Sequence, residues 1–277
     1  MTPDIRLIAL DMDGTLLASD HATIPQRNLD ALRAAARQGV RIAIATGRSW
    51  SLVRETAEQL GVVNYGITAN GALVLDAADE TPLVKFPMPR KQCVDIIHIL
   101  HKHNLYYELY IDGDNYMQAD RIEGADQFCL SPAFYELFMR CTHFIPDIAA
   151  FAATKDAENF DIFYVDPKKR GAVVEELRAT GSLEIAGALQ SNMELTVGGA
   201  CKGRALASLA DKLGLSPAQV MAFGDADNDL EMLEWAGYSF AMENATDQAK
   251  QAAKFLTGRN DDGGVGMAVE QYCLNHN

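Results

Sequence analysis

A chain of 277 residues, 48% of them hydrophobic, is long enough to bury a large core in more than one domain and too apolar to be disordered. A net charge of −14 argues against nucleic acid and anionic membranes as partners. There is no apolar run of membrane length and no signal-peptide pattern at Met1-Thr2-Pro3-Asp4; the five cysteines (93, 129, 141, 201, 273) lack a C-x-x-C pair, so reduced thiols, no structural zinc and a cytoplasmic location are expected.

Ile5 to Leu10 is an apolar run broken only by Arg6, which reads as a strand buried on both faces. It ends in Asp11-Met12-Asp13-Gly14-Thr15-Leu16-Leu17. Two carboxylates at the end of a buried strand are costly unless something pairs with them. Thr23, Pro25 and Gln26 match a capping box, with a helix to Gly39. Val40 to Ala45 is a second apolar strand and ends at Thr46-Gly47-Arg48-Ser49. A helix over about 51–60 follows, then two short strands around Asn70-Gly71. The alternation implies a parallel sheet with right-handed crossovers.

After Asp76 to Pro82 the texture changes. A helix over about 90–103 leads to more polar strands at 105–111 and 115–119. A helical stretch over 124–140 is broken at Ser131-Pro132, and strands at 160–165, 183–186 and 189–197 flank a helix over 168–180. The parallel pattern resumes with a helix opened by Lys202, a buried strand at 220–223 and the loop Gly224-Asp225-Ala226-Asp227-Asn228-Asp229. A helix over about 230–235, a strand at 238–242 and a helix over 246–254 complete it. The expected domains are 1–82 with 191–277 as an α/β core, and 83–190 as an inserted α+β module.

Three strands thus end in polar loops at one end of one sheet, at Asp11/Asp13, Thr46 and Asp225/Asn228/Asp229, with Lys202 in reach. Four carboxylates meeting there repel unless a divalent cation sits among them, and an all-oxygen site suits Mg²⁺. A phosphate would bind that cation, the Lys202 ammonium, the Thr46 hydroxyl and backbone N–H groups. One aspartate could attack phosphorus and its neighbour two positions on could protonate the leaving oxygen.

Asp11-Met-Asp13-Gly14-Thr15, Thr46-Gly47-Arg48, Lys202 and Gly224-Asp225-x-x-Asn228-Asp229, in this order, resemble the haloacid dehalogenase (HAD) superfamily. Thr68-Ala69-Asn70-Gly71-Ala72, Lys202-Gly203, Ala241-Met242-Glu243-Asn244-Ala245 and Asn260 to Val265 resemble its Cof-type sugar phosphatases. The resemblance implies a Rossmann-like parallel-sheet core with an inserted α/β cap, and a Mg²⁺-dependent phosphatase of small phosphorylated metabolites. By the same resemblance Asp11 is the nucleophile and a metal ligand. Asp13 is the general acid/base and gives its carbonyl to the metal. Thr46, Gly47, Arg48 and Lys202 bind substrate, with Lys202 also restraining Asp11. Asp225 is a metal ligand, Asp229 belongs to the metal site as an outer residue, and Asn228 touches the phosphate or holds the metal loop. Glu243 and Ser239-Phe240 depart from the small residue and Gly-Val common in relatives, which bears on loop packing.

Calcium-loop readings fail at Thr15 and Ala22, counted from Asp11, and at Leu230 and Ala236, counted from Asp225. A sugar phosphomutase and a non-catalytic phosphometabolite sensor stay open as alternatives. The expected partner is a small phosphorylated metabolite, with the chain a monomer or homodimer. His98, His101 and His103 read as surface or core residues, Tyr106, Tyr107 and Tyr110 as packing, Asp227 as solvent-facing, and the cysteines as small buried apolar residues.

Overall fold

The run Leu7–Asp11 forms β1, and all five of its residues are buried. The computed structural model describes residues 3–123, 127, 132–187 and 191–274. In chain order the elements are β1, α1 (Gln26–Arg37), β2 (Arg41–Ala45), α2 (Trp50–Leu60), β3 (Val63–Thr68), β4 (Leu73–Asp76), β5 (Pro82–Lys85) and α3 (Arg90–Lys102). Then come β6 (Tyr107–Ile111), β7 (Asp114–Gln118), α4 (Pro132–Cys141), β8 (Thr142–Ile145), α5 (Ile148–Ala152), β9 (Asn159–Ile162) and α6 (Pro167–Arg178). The last are β10 (Leu183–Ala186), β11 (Met193–Val197), α7 (Lys202–Lys212), β12 (Val220–Gly224), α8 (Leu230–Trp235), β13 (Tyr238–Ala241), α9 (Asp247–Ala252), β14 (Phe255–Leu256) and α10 (Gly264–Val269).

Two compact units result: 1–46, 54–84 and 201–277 as unit 1, and 47–53 with 85–200 as unit 2. Unit 1 is built on a sheet of order β14-β13-β12-β1-β2-β3-β4-β5. Neighbours from β14 to β3 run parallel, and β4 turns back antiparallel to β3. From β1 the chain steps to β2 and β3 on one side, while β12 to β14 step away on the other. The carboxyl ends of β1 and β12 therefore flank a topological switch point, the place where open parallel sheets bind ligands. Each large apolar side chain buried in these strands contributes about 1.5–3 kcal/mol. Ser239 and Phe240 fit without strain on packing: Ser239 Oγ accepts the Lys254 N–H at 3.0 Å, and Phe240 stacks on Phe223 at 5.1 Å.

Unit 2 contains a sheet of order β10-β11-β9-β6-β7-β8, antiparallel except for β7 and β8. One face carries its core, where Tyr107, Leu109, Phe160, Ile162, Met193 and Leu195 meet Ile96, Leu100, Ile148, Val173 and Leu177 of α3, α5 and α6. β11 lies in this sheet, beyond the expected limit at 190, because it pairs with both β9 and β10.

The expected capping box at Thr23 does not form. The Asp20 carboxylate takes the Thr23 hydroxyl at 2.6 Å and the N–H groups of Ala22 and Thr23, so the first turn of α1 has no side-chain cap. Of the helix expected over 124–140, residues 124–126 and 128–131 lie outside the described residues, and α4 begins at Pro132. The strand expected at 160–165 is β9, which runs from Asn159 to Ile162. Among the described residues no helix is long and apolar enough to cross a membrane.

Candidate active site

The site of unit 1 grows from the end of β1. Asp11 is its last residue and is 6% exposed. The chain then turns through Met12–Leu16, with Gly14 at φ +84°. A Cβ at Gly14 would run into the Asp225 carboxylate, so glycine lets the loop after β12 approach the loop after β1. Thr15 Oγ1 donates to Asp225 Oδ1 at 2.8 Å. The turn is fastened from the C-terminal motifs. Asn244 Nδ2 donates to the Gly14 carbonyl at 2.8 Å, and Asn260 Nδ2 to the Leu17 carbonyl at 3.0 Å.

Lys202 opens α7 and is fully buried. Its Nζ donates to Asp11 Oδ1 at 2.6 Å and to Asp229 Oδ1 at 2.7 Å. Asp229 Oδ2 accepts the N–H groups of Asp225 and Ala226 at 3.0 and 3.1 Å. Both Asp229 oxygens are thus engaged in fixing Lys202 and the backbone of the loop after β12. Burial would lower the Lys202 pKa, but Asp11 and Asp229 outweigh it and hold the ammonium charged. Burial, then Asp229, pushes Asp11 well above the ordinary carboxylate range, against the pull of Lys202, and Asp225 pushes it further. Asp225 is pushed up to about 6, chiefly by burial.

Asp11, Asp225 and Asp229 each offer an oxygen within 4.8 Å of the others. Crowded, half-compensated carboxyls of this kind fit a hard divalent cation with oxygen ligands. Asp11 and Asp225 are the members of this cluster with carboxylate oxygens to offer such a cation.

Thr46 lies just past β2, next to β1 in the sheet, and is 2% exposed. Its N–H bonds the Ile67 carbonyl, and its carbonyl accepts the Asn70 N–H. Ala69 and Asn70 both hold positive φ, a strained turn at the end of β3. Asn228 Nδ2 donates to Asn70 Oδ1 at 3.0 Å. The Thr68 hydroxyl is buried and has no partner, an orphan donor at this strand end.

A family model of haloacid dehalogenase-like hydrolases matches residues 8–269. The chain belongs to the haloacid dehalogenase-like hydrolases. The 5-amino-6-(5-phospho-D-ribitylamino)uracil phosphatase YcsE of Bacillus subtilis is 33% identical, over 98% of this chain and 97% of that protein. The pyridoxal phosphate phosphatase YbhA of Escherichia coli is 26% identical, over 97% and 99%. A solved haloacid dehalogenase-like hydrolase from Bacteroides thetaiotaomicron superposes with a TM-score of 0.84 at 25% identity, over 96% and 99% of the two chains. The hydrolase is a phosphatase of this family, and the motif resemblance holds across the chain.

In the hydrolase, unit 1 brings Asp11, Lys202, Asp225 and Asp229 together, with Thr46 just past the strand next to β1 and Asn228 tied to Asn70. Asp13 is partly exposed, and its Oδ1 meets His21 Nδ1 at 3.0 Å. Gly47 and Arg48 fall in unit 2. There Ser49 and Ser51 both donate to Asn115 Oδ1, and Asn115 Nδ2 donates to Glu108 at 2.7 Å. Sequence reasoning missed His21, Thr15 and the orphan Thr68 hydroxyl as members of the site. Thr15 and Thr68 stood inside quoted motifs, whereas nothing marked His21. Asp227 is exposed and holds Thr246 Oγ1 at 3.1 Å. His101 meets the Tyr107 hydroxyl and His103 meets Glu176. Cys93 and Cys273 are buried with thiols pushed up to about 12 by burial, Cys141 and Cys201 are partly exposed, and Cys129 lies outside the described residues.

Proposed function

We propose that the hydrolase is a Mg²⁺-dependent phosphatase of small phosphorylated metabolites, sugar and polyol phosphates foremost, working through an aspartyl phosphate on Asp11. The observation that carries this reading is the buried Lys202 ammonium bound to Asp11 Oδ1, which fixes the Asp11 carboxyl at the end of β1. The ribityl phosphate and pyridoxal phosphate named for two relatives support a small alcohol phosphate as substrate.

Asp11 forms the new O–P bond as the bond from phosphorus to the leaving oxygen breaks. Asp13, two residues on, gives its proton to that oxygen. A water then attacks phosphorus, the bond to Asp11 breaks, and Asp13 takes the water's proton. Lys202, the Thr46 hydroxyl and N–H groups of the turns hold the phosphoryl oxygens. Bound Mg²⁺ supplies charge neutralisation between the carboxylates and the phosphate. His21 holds the Asp13 side chain.

The test is phosphate release from a panel of phosphorylated metabolites with and without Mg²⁺. Phosphate release from a sugar or polyol phosphate that stops on chelation is the expected result. A product in which the phosphoryl group has moved to another hydroxyl of the sugar would make the protein a mutase instead. Tight binding with no turnover would make it a sensor.

A further inference from the structure

Lys202 is the buried ammonium at the centre of the unit 1 site, and its helix is seated by close backbone contacts on either side of it. On one side is the turn after β3. Ala69, Asn70 and Gly71 hold φ of +52°, +50° and +89°, three left-handed residues in succession. Such a turn persists only where its surroundings dictate it, and strain of this kind gathers at functional sites. A Cβ at Gly71 would lie 2.3 Å from the Cys201 carbonyl oxygen and 2.9 Å from the Lys202 nitrogen, against the peptide that opens α7. On the other side, a Cβ at Gly203 would lie 2.5 Å from the Glu231 carbonyl carbon in α8. Backbone thus meets backbone just before and just after Lys202, with no side chain between to yield.

An independent tie runs from the same turn. Asn70 Oδ1 accepts Asn228 Nδ2 at 3.0 Å. Asn228 directly precedes Asp229, the second carboxylate on Lys202. The Asn70 N–H donates to the Thr46 carbonyl at 3.0 Å. The turn 69–71 therefore touches the peptide that carries Lys202, the loop that carries its partner Asp229, and the end of β2. Lys202 Nζ meets Asp11 Oδ1 at 2.6 Å and Asp229 Oδ1 at 2.7 Å. Charge-assisted bonds this short leave little room for a shifted backbone.

We propose that Asn70 and Gly71 are positioning residues: the turn they form fixes the start of α7 and the loop after β12 in one frame, and so sets the Lys202 ammonium against Asp11. Neither residue is required to touch substrate. The proposal rests on the phosphatase reading for its effect on turnover, but the placing of Lys202 is measurable without any reaction. Gly71→Ala puts a methyl 2.3 Å from the Cys201 carbonyl oxygen, where an ordinary contact is 3.4 Å or more, so the start of α7 must retreat by about 1 Å. A misplacement of that size costs up to about 100-fold in rate. Asn70→Gly keeps the left-handed turn and deletes only the bond to Asn228, so a loss of about 3- to 10-fold in kcat is expected.

Two measurements on the full chain test it. In heteronuclear NMR of the metal-free protein without substrate, the Nζ signal of Lys202 is identified by its loss in Lys202→Met. That signal is expected to move or exchange away in Gly71→Ala and to shift in Asn70→Gly, while the backbone amide spectrum stays that of a folded protein. For kcat on p-nitrophenyl phosphate, each variant is expected to fall as above alone but by less than about twofold when combined with Lys202→Met, because residues acting through one side chain do not add. A merely structural turn would give equal losses in both backgrounds, and that result would overturn the proposal, as would an unchanged Nζ signal in both variants. A displaced Nζ signal in a protein that hydrolyses nothing would uphold the positioning and remove the phosphatase reading. If Gly71→Ala does not fold, Asn70→Gly decides by the same outcomes.

Discussion

Lys202 has its charge balanced by two carboxylates, Asp11 and Asp229, in a place without solvent. Removing one partner of such a buried set costs about 3–5 kcal/mol. Lys202→Met should lower stability by that amount in urea titrations of the metal-free protein. It should also cut kcat on the order of 10²–10³-fold, as loss of one preorganised charge does. Asp225→Ala separates metal binding from folding. It leaves Lys202 paired, so circular dichroism should be unchanged while turnover at ordinary Mg²⁺ disappears. Full activity of the unaltered protein after exhaustive chelation would contradict the metal requirement. Asp11, Asp13, Thr46 and Asp225 stood out in the sequence as candidates because each lies at or shortly past the end of a buried apolar run, where a polar residue is costly without a purpose. His21 was not legible. Its contact with Asp13 arises from the turn around Asp20, whose carboxylate gathers Ala22 and Thr23, and a positive φ at His21 completes it.

At the scale of elements, the strands of unit 1 were read from their apolar runs, while β5, β8, α5, β14 and α10 were not. β14 has two residues and β5 is half exposed, so neither carries a pattern. α10 begins with glycine, which disfavours helix. It forms because Gly266 lets it lie against α1: a Cβ there would strike the Arg27 backbone, and its N–H bonds Asn28 Oδ1 at 2.8 Å. No sequence window holds that contact. In β6, Glu108 gives a pH prediction. It accepts from Asn115 and Thr142, yet burial raises its pKa from 4.5 to about 7. The native state therefore holds this proton more tightly than the unfolded chain. Its stabilisation is complete below about 4.5 and is lost as pH rises through about 7, a change of about 3 kcal/mol. Glu108→Gln should melt higher than the unaltered protein at pH 8, and the difference should vanish near pH 4. A difference independent of pH would show that Glu108 does not titrate in this window.

For the molecule as a whole, the change in texture after residue 82 marked an insertion, and two sheets of different topology are present. The grouping of Gly47–Val53 with unit 2 was hidden, since it depends on Ser49 and Ser51 meeting Asn115 far along the chain. The chemistry proposed for unit 1 divides labour between two aspartates, and one experiment reads that division. In Asp13→Asn, an aryl phosphate leaves without a proton, so the first step survives while the water step, deprived of its base, stalls. Rapid mixing of this variant with p-nitrophenyl phosphate should give a burst of nitrophenol of at most one equivalent per site, then slow turnover. Acid-quenched protein should carry a phosphoryl group on Asp11 by mass spectrometry, and Asp11→Asn should show neither burst nor label. A burst in Asp11→Asn, or a phosphoryl group mapped to residue 13 in Asp11→Asn, would contradict the assignment of Asp11 as nucleophile.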